Sequence, residues 1–98
     1  MSNYNLVLQI NNLPDSTRRF YINVCSDYKE IQGSYQVNYD SCVLRTSLND
    51  PYREFELVLS DNEQQLIAQI WPIESAAEPI NLFWEKTQDN TEWVITLP

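Results

Sequence analysis

Apolar and polar residues alternate along almost every segment of this chain, and a period of two is the signature of a strand with one buried face. Leu6, Leu8 and Ile10 share one phase against Asn5 and Gln9, and Phe20, Ile22 and Val24 share another against Asn23 and Cys25. Tyr35, Val37 and Tyr39 alternate with Gln36, Asn38 and Asp40, and Cys42, Leu44, Thr46 and Leu48 continue the pattern. Arg53 to Ser60 is the cleanest case, with Phe55, Leu57 and Leu59 opposite Glu54 and Glu56. Segments 65–71, 80–87 and 92–97 complete the set. Turn formers divide them, notably at 11–16, at Ser60-Asp61-Asn62-Glu63, which reads as a tight hairpin with positive φ, and at 88–91. Only Ser75 to Glu78, between two prolines, is open to a helical turn.

About eight short strands with little or no helix predict an all-β domain over 1–98, a small antiparallel sandwich with a barrel as the alternative. No connection is long enough for a crossover helix, so parallel βαβ units are excluded and the architecture is expected to be antiparallel. The expected core is Leu6, Leu8, Ile10, Phe20, Ile22, Val24 and the inward phase of the later strands, from Leu57 and Leu59 to Trp93, Ile95 and Leu97.

Charge narrows the partners. With 14 acidic and 6 basic residues the chain carries a formal charge of −8, which disfavours direct contact with nucleic-acid phosphates or an anionic membrane. It favours a protein partner, including one with a basic surface. No stretch is long and apolar enough to be a membrane span, and the N-terminal residues do not read as an export signal. A cytoplasmic address is therefore expected, and with it reduced thiols at Cys25 and Cys42, which fall in opposite phases relative to the core.

Catalysis finds few candidates. The chain has no histidine and a single glycine, so imidazole-based catalysis, His-containing metal sites and glycine-rich phosphate loops are excluded by composition. Lys29 and Lys86 lie in polar, turn-like surroundings that would not depress an amine pKa. Glu54 and Glu56 share one strand face at a spacing of about 6.5–7 Å, near that of glycosidase carboxylates, but an exposed acidic pair of this kind is commonplace. No enzyme activity, cofactor or metal is expected.

The useful anomaly is an outer phase that should be polar. Val58, Ile67, Trp71, Ile73, Phe83 and Val94 all fall opposite the core phase. If four consecutive antiparallel segments gathered them, they would form one apolar, aromatic face rimmed by Glu56, Gln69, Glu85 and Glu92, the composition of a protein-binding surface or a homodimer interface. The competing expectation is that another part of the chain covers them. Ile67, Trp71, Phe83, Val94, Glu56 and Glu85 are thus the candidate contact residues of a non-enzymatic interaction module. Two other functions compete. One is an acidic mimic of nucleic acid that occupies a basic groove on a nucleic-acid-handling protein. The other is a small-ligand or sugar binder using Tyr35, Tyr39, Tyr52 and the tryptophans as stacking platforms.

Overall fold

The computed structural model describes residues 3–12, 19–50, 52–73, 78–87 and 90–97. Among these residues are nine strands: β1 (Asn3–Asn12), β2 (Phe20–Cys25), β3 (Tyr28–Ile31), β4 (Ser34–Val37), β5 (Cys42–Leu48), β6 (Tyr52–Ser60), β7 (Gln65–Pro72), β8 (Ile80–Glu85) and β9 (Glu92–Leu97). A 3-10 turn at Tyr39–Ser41 joins β4 to β5. The order β6-β1-β9 makes one sheet, β5-β2-β7-β8 the second, and β3-β4 a separate hairpin. The two larger sheets carry one continuous apolar core between them.

The inward phase read from the sequence is the buried phase. Leu6, Leu8, Ile10, Leu57, Leu59, Trp93, Ile95 and Leu97 come from the three-stranded sheet. Phe20, Ile22, Val24, Leu48, Leu66, Ala68, Ile70 and Trp84 meet them from the four-stranded sheet. Each fully buried aliphatic or aromatic side chain contributes about 1.5–3 kcal/mol, so the facing layers supply the main drive for folding. At one end Trp84 lies between Tyr4, 6.3 Å away, and Trp93, 6.5 Å away. The Lys86 ammonium sits 3.8 Å from the centre of the Tyr4 ring, and the Tyr4 hydroxyl donates to the Glu63 carbonyl.

Pairing differs from the sequence expectation in four places. First, β1 and β9 pair in parallel, Val7 to Ile10 opposite Glu92 to Ile95. The crossover-helix requirement does not bear on them, because they stand at opposite ends of the chain with every other strand between.

Second, Ser60 to Glu63 does not close a hairpin. The Glu63 amide donates to the Ser60 carbonyl at 3.0 Å, and the Glu63 carboxylate accepts from the Ser60 amide and hydroxyl at 2.9 and 3.1 Å. Neither Asp61 nor Asn62 has positive φ. Such a turn does not match the twist of a paired ribbon, so the flanking strands splay. β6 goes to one sheet and β7 to the other.

Third, the hairpin that does have a two-residue turn is one the sequence pattern passed over. β3 and β4 pair from Tyr28 opposite Val37 to Ile31 opposite Ser34, so Lys29 lies in a strand rather than a turn. Gln32 (φ 51) and Gly33 (φ 82) both have positive φ, as a primed hairpin turn requires. A Cβ on Gly33 would meet nothing within 4 Å, so its cost is conformational alone. Gly33→Ala should therefore lower stability by about 1 kcal/mol, read as a shifted melting temperature with the strand content unchanged.

Fourth, Cys25 and Cys42 form a disulfide. Their opposite phases are reconciled by a β-bulge. β2 advances one residue from Val24 to Cys25 while β5 advances two, from Leu44 to Cys42. Val43 is the extra residue. It turns Cys42 onto the outer face beside Cys25.

The loop residues 13–16 and 88–89, and most of the possible helical turn at Ser75 to Glu78, lie outside the described residues. Among the described residues no helix is long and apolar enough to cross a membrane.

Candidate binding face

The outer face of the four-stranded sheet is built in rows fixed by strand register. Ser47, Tyr21 and Trp71 form one row across β5, β2 and β7. Arg45, Asn23, Gln69 and Asn81 form the next, and Cys42, Cys25, Ile67 and Phe83 the third. The β3–β4 hairpin lies over the third row. Gln69 donates through Nε2 to the Tyr35 carbonyl at 3.0 Å and to Asn81 Oδ1 at 3.1 Å. The rings of Tyr35 and Tyr28 approach Phe83 at 5.0 and 5.7 Å.

This placement divides the residues expected to form one apolar face. Ile67 is fully buried beneath the hairpin, so part of the chain does cover the anomalous phase. Phe83 keeps 47% of its surface exposed at the hairpin's edge, Glu85 is exposed on the same strand, and Trp71 and Ile73 are half-buried. Glu56, Val58 and Val94 stand elsewhere. They project from the outer face of the three-stranded sheet, where Val7 lies between Glu56 and Glu92, and Gln9 between Glu54 and Val94. Four successive segments share no common face because β6 and β9 belong to one sheet, β7 and β8 to the other.

The hairpin and the 3-10 turn leave the first two rows partly open, and an open recess of about 570 Å³ remains there. Its lining includes Tyr21, Asn23, Tyr39, Arg45, Ser47 and Trp71. The rings of Tyr21 and Trp71 meet at 5.9 Å and 48°, forming a tilted aromatic wall. The Arg45 guanidinium lies 4.7 Å over the Tyr39 ring, and among the described residues no carboxylate is within ion-pair distance of it. Asn23, on the floor, is only 7% exposed. Its side-chain amide has no hydrogen-bond partner among the described residues. Gln69, 8% exposed and next in the same row, has two.

Sequence patterning did not single out Tyr21, Asn23 or Arg45. Each occupies the outer phase of its strand, where tyrosine, asparagine and arginine are ordinary. Of the tyrosines offered as stacking platforms, only Tyr39 borders the recess. Tyr35 is engaged with Phe83, and Tyr52 lies on the other sheet.

Among the described residues no group of three or more Cys, Asp and Glu is placed to hold a metal ion. Glu54 and Glu56 are exposed on the three-stranded sheet. The Tyr28 phenol is raised by burial and then by the negative charge of Glu85 and the neighbouring Tyr35.

No family model, curated protein or solved structure matches this chain.

Proposed function

We propose that this protein is a non-enzymatic binding module whose contact surface is the outer face of its four-stranded sheet, and whose partner is a protein. One observation carries the proposal: Tyr21, Trp71, Tyr39 and Arg45 converge around an open recess, with the exposed ring of Phe83 two rows away on the same face. Aromatic and arginine side chains are enriched among the residues that dominate binding energy, aromatics because they bury much area with few rotors and arginine because its planar fork of donors is pre-organised. Trp71, Phe83 and Glu85 stay in the proposed surface, while Ile67 supports it from below. Glu56 and Val94 leave it.

The compartment is reassessed with it. A disulfide at Cys25–Cys42 is what oxidising surroundings leave, and cytosolic thiols are normally kept reduced. The bond therefore counts against the cytoplasmic address read from the sequence.

Trp71→Ala and Phe83→Ala test the surface. Each should weaken partner binding or self-association by about 2 kcal/mol, roughly thirtyfold, with little change in melting temperature. Affinity capture from the native host, repeated with each variant, reads the first, and sedimentation reads the second. Unchanged binding in both variants would remove this face from the interaction. A second arrangement favours a different partner: Glu54, Glu56 and Glu92 project together from the other sheet, as an acidic mimic of nucleic acid requires. Binding through those carboxylates would collapse with added salt, whereas binding through the aromatic face would persist.

A further inference from the structure

We propose that the recess is a carboxylate-binding site that takes a ring-bearing acid from the partner, the carboxylate held by Arg45 and Asn23 and the ring laid against Tyr21 and Trp71. This deepens the binding-module function and rests on it for the source of the ligand.

A residue with only 7% of its surface exposed, as Asn23 has, normally turns its polar side-chain atoms to partners within the protein. Gln69, its neighbour across the sheet, has them in Tyr35 and Asn81. Asn23 instead has none among the described residues, and its amide atoms stay accessible at the recess, so its hydrogen bonds are available to whatever displaces solvent there. An amide both donates and accepts, which suits a carboxylate or a peptide group.

Arg45 sets the charge. Its guanidinium carbon lies 4.7 Å over the centre of the Tyr39 ring, and its planar fork of N–H donors matches a carboxylate in bidentate geometry. Across the register Arg45 is directly opposite Asn23, and both line the recess. A chain of net charge −8 with one guanidinium in the recess suits a monoanion better than a dianionic phosphate. The tilted Tyr21–Trp71 wall adds a flat apolar surface for the rest of the ligand. A recess of about 570 Å³ is within the usual range of small-ligand sites, and it accommodates a terminal aromatic residue of a peptide or a single sugar acid.

The two sources are separable. The folded protein is titrated with N-acetylphenylalanine, its amide, and glucuronate, while the Asn23 side-chain amide and Trp71 indole resonances are followed by NMR. N-acetylphenylalanine should give saturable shifts centred on those two groups, with a dissociation constant on the order of millimolar. The amide analogue should bind at least about tenfold more weakly. Arg45→Gln should weaken the acid about tenfold or more and leave the amide's affinity unchanged, while Arg53→Gln, outside the recess, changes neither. Equal affinity for acid and amide, shifts centred elsewhere, or no saturation at tens of millimolar (on the order of ten times the expected constant) would overturn the site. Tighter binding of glucuronate than of N-acetylphenylalanine would keep the carboxylate and overturn the peptide source. The binding-module function fails separately. If the probes bind the recess but partner capture ignores both Trp71→Ala and Phe83→Ala, that function falls; if capture is lost in both variants while the probes never bind, only the carboxylate site falls.

Discussion

Truncation of Ile67 to alanine is expected to cost the fold about 2–5 kcal/mol, as much as Leu57→Ala on the opposite sheet. Sequence phase assigns these two residues to different worlds, one to the surface and one to the core. The structure buries both. Leu57 faces the four-stranded sheet across the main core, and Ile67 lies between its cross-strand neighbours Cys25 and Phe83 with the β3–β4 hairpin above. Removing either side chain leaves a cavity that close-packed neighbours fill only in part. Glu56→Ala and Val94→Ala provide the contrast. Both residues are exposed on the three-stranded sheet, Val94 with 55% of its surface accessible, and each change should stay within about 0.5 kcal/mol. Chemical denaturation of the four variants measures all of this together. A small loss for Ile67→Ala would mean that the hairpin does not cover it.

The residues involved show what alternation can and cannot transmit. Burial on one face imprints a period of two on a strand, so the inward phase from Leu6 to Leu97 was readable one strand at a time. Period two carries no information about which strand lies alongside. The separation of β6 from β7 depends on a turn at Asp61-Asn62 whose φ angles the residue types do not dictate, since asparagine and aspartate tolerate either sign. The parallel β1–β9 pair is a contact between chain ends and leaves no local mark. A second buried layer misleads in the opposite way: Ile67 and Cys25 are apolar on the outer phase because a hairpin covers them. Tyr28 to Ile31 alternates too weakly, and Gln32-Gly33 lacks the Asn-Gly pattern, for that hairpin to be evident beforehand. The recess follows the same logic. Arg45, Asn23 and Tyr21 lie apart in sequence and are neighbours only through the β5–β2–β7 register.

The second large effect concerns the disulfide. Cys25 ends β2 and Cys42 begins β5, so the bond closes the neck of the excursion that carries the hairpin and the 3-10 turn. Cross-linking residues 17 positions apart removes loop-closure entropy from the unfolded chain, and for a loop of that size the stabilisation is about 3 kcal/mol. Hydrogen bonds hold the same neck without it. The Ser26 amide donates to the Ser41 carbonyl at 3.2 Å, the Asn38 amide to the Asp27 carbonyl at 2.9 Å, and the Asp27 amide to Ser41 Oγ at 2.9 Å. Reduction should therefore leave the fold intact but lower its melting temperature by about 12–24 °C, the change that about 3 kcal/mol produces in a domain of this size. Cys25→Ser/Cys42→Ser should match the reduced protein and show no further response to reductant. Protein denatured without reductant should titrate no free thiol. Two free thiols would break the bond, return both cysteines to the reducing compartment expected from the sequence, and leave the bulge at Val43 to explain their proximity alone.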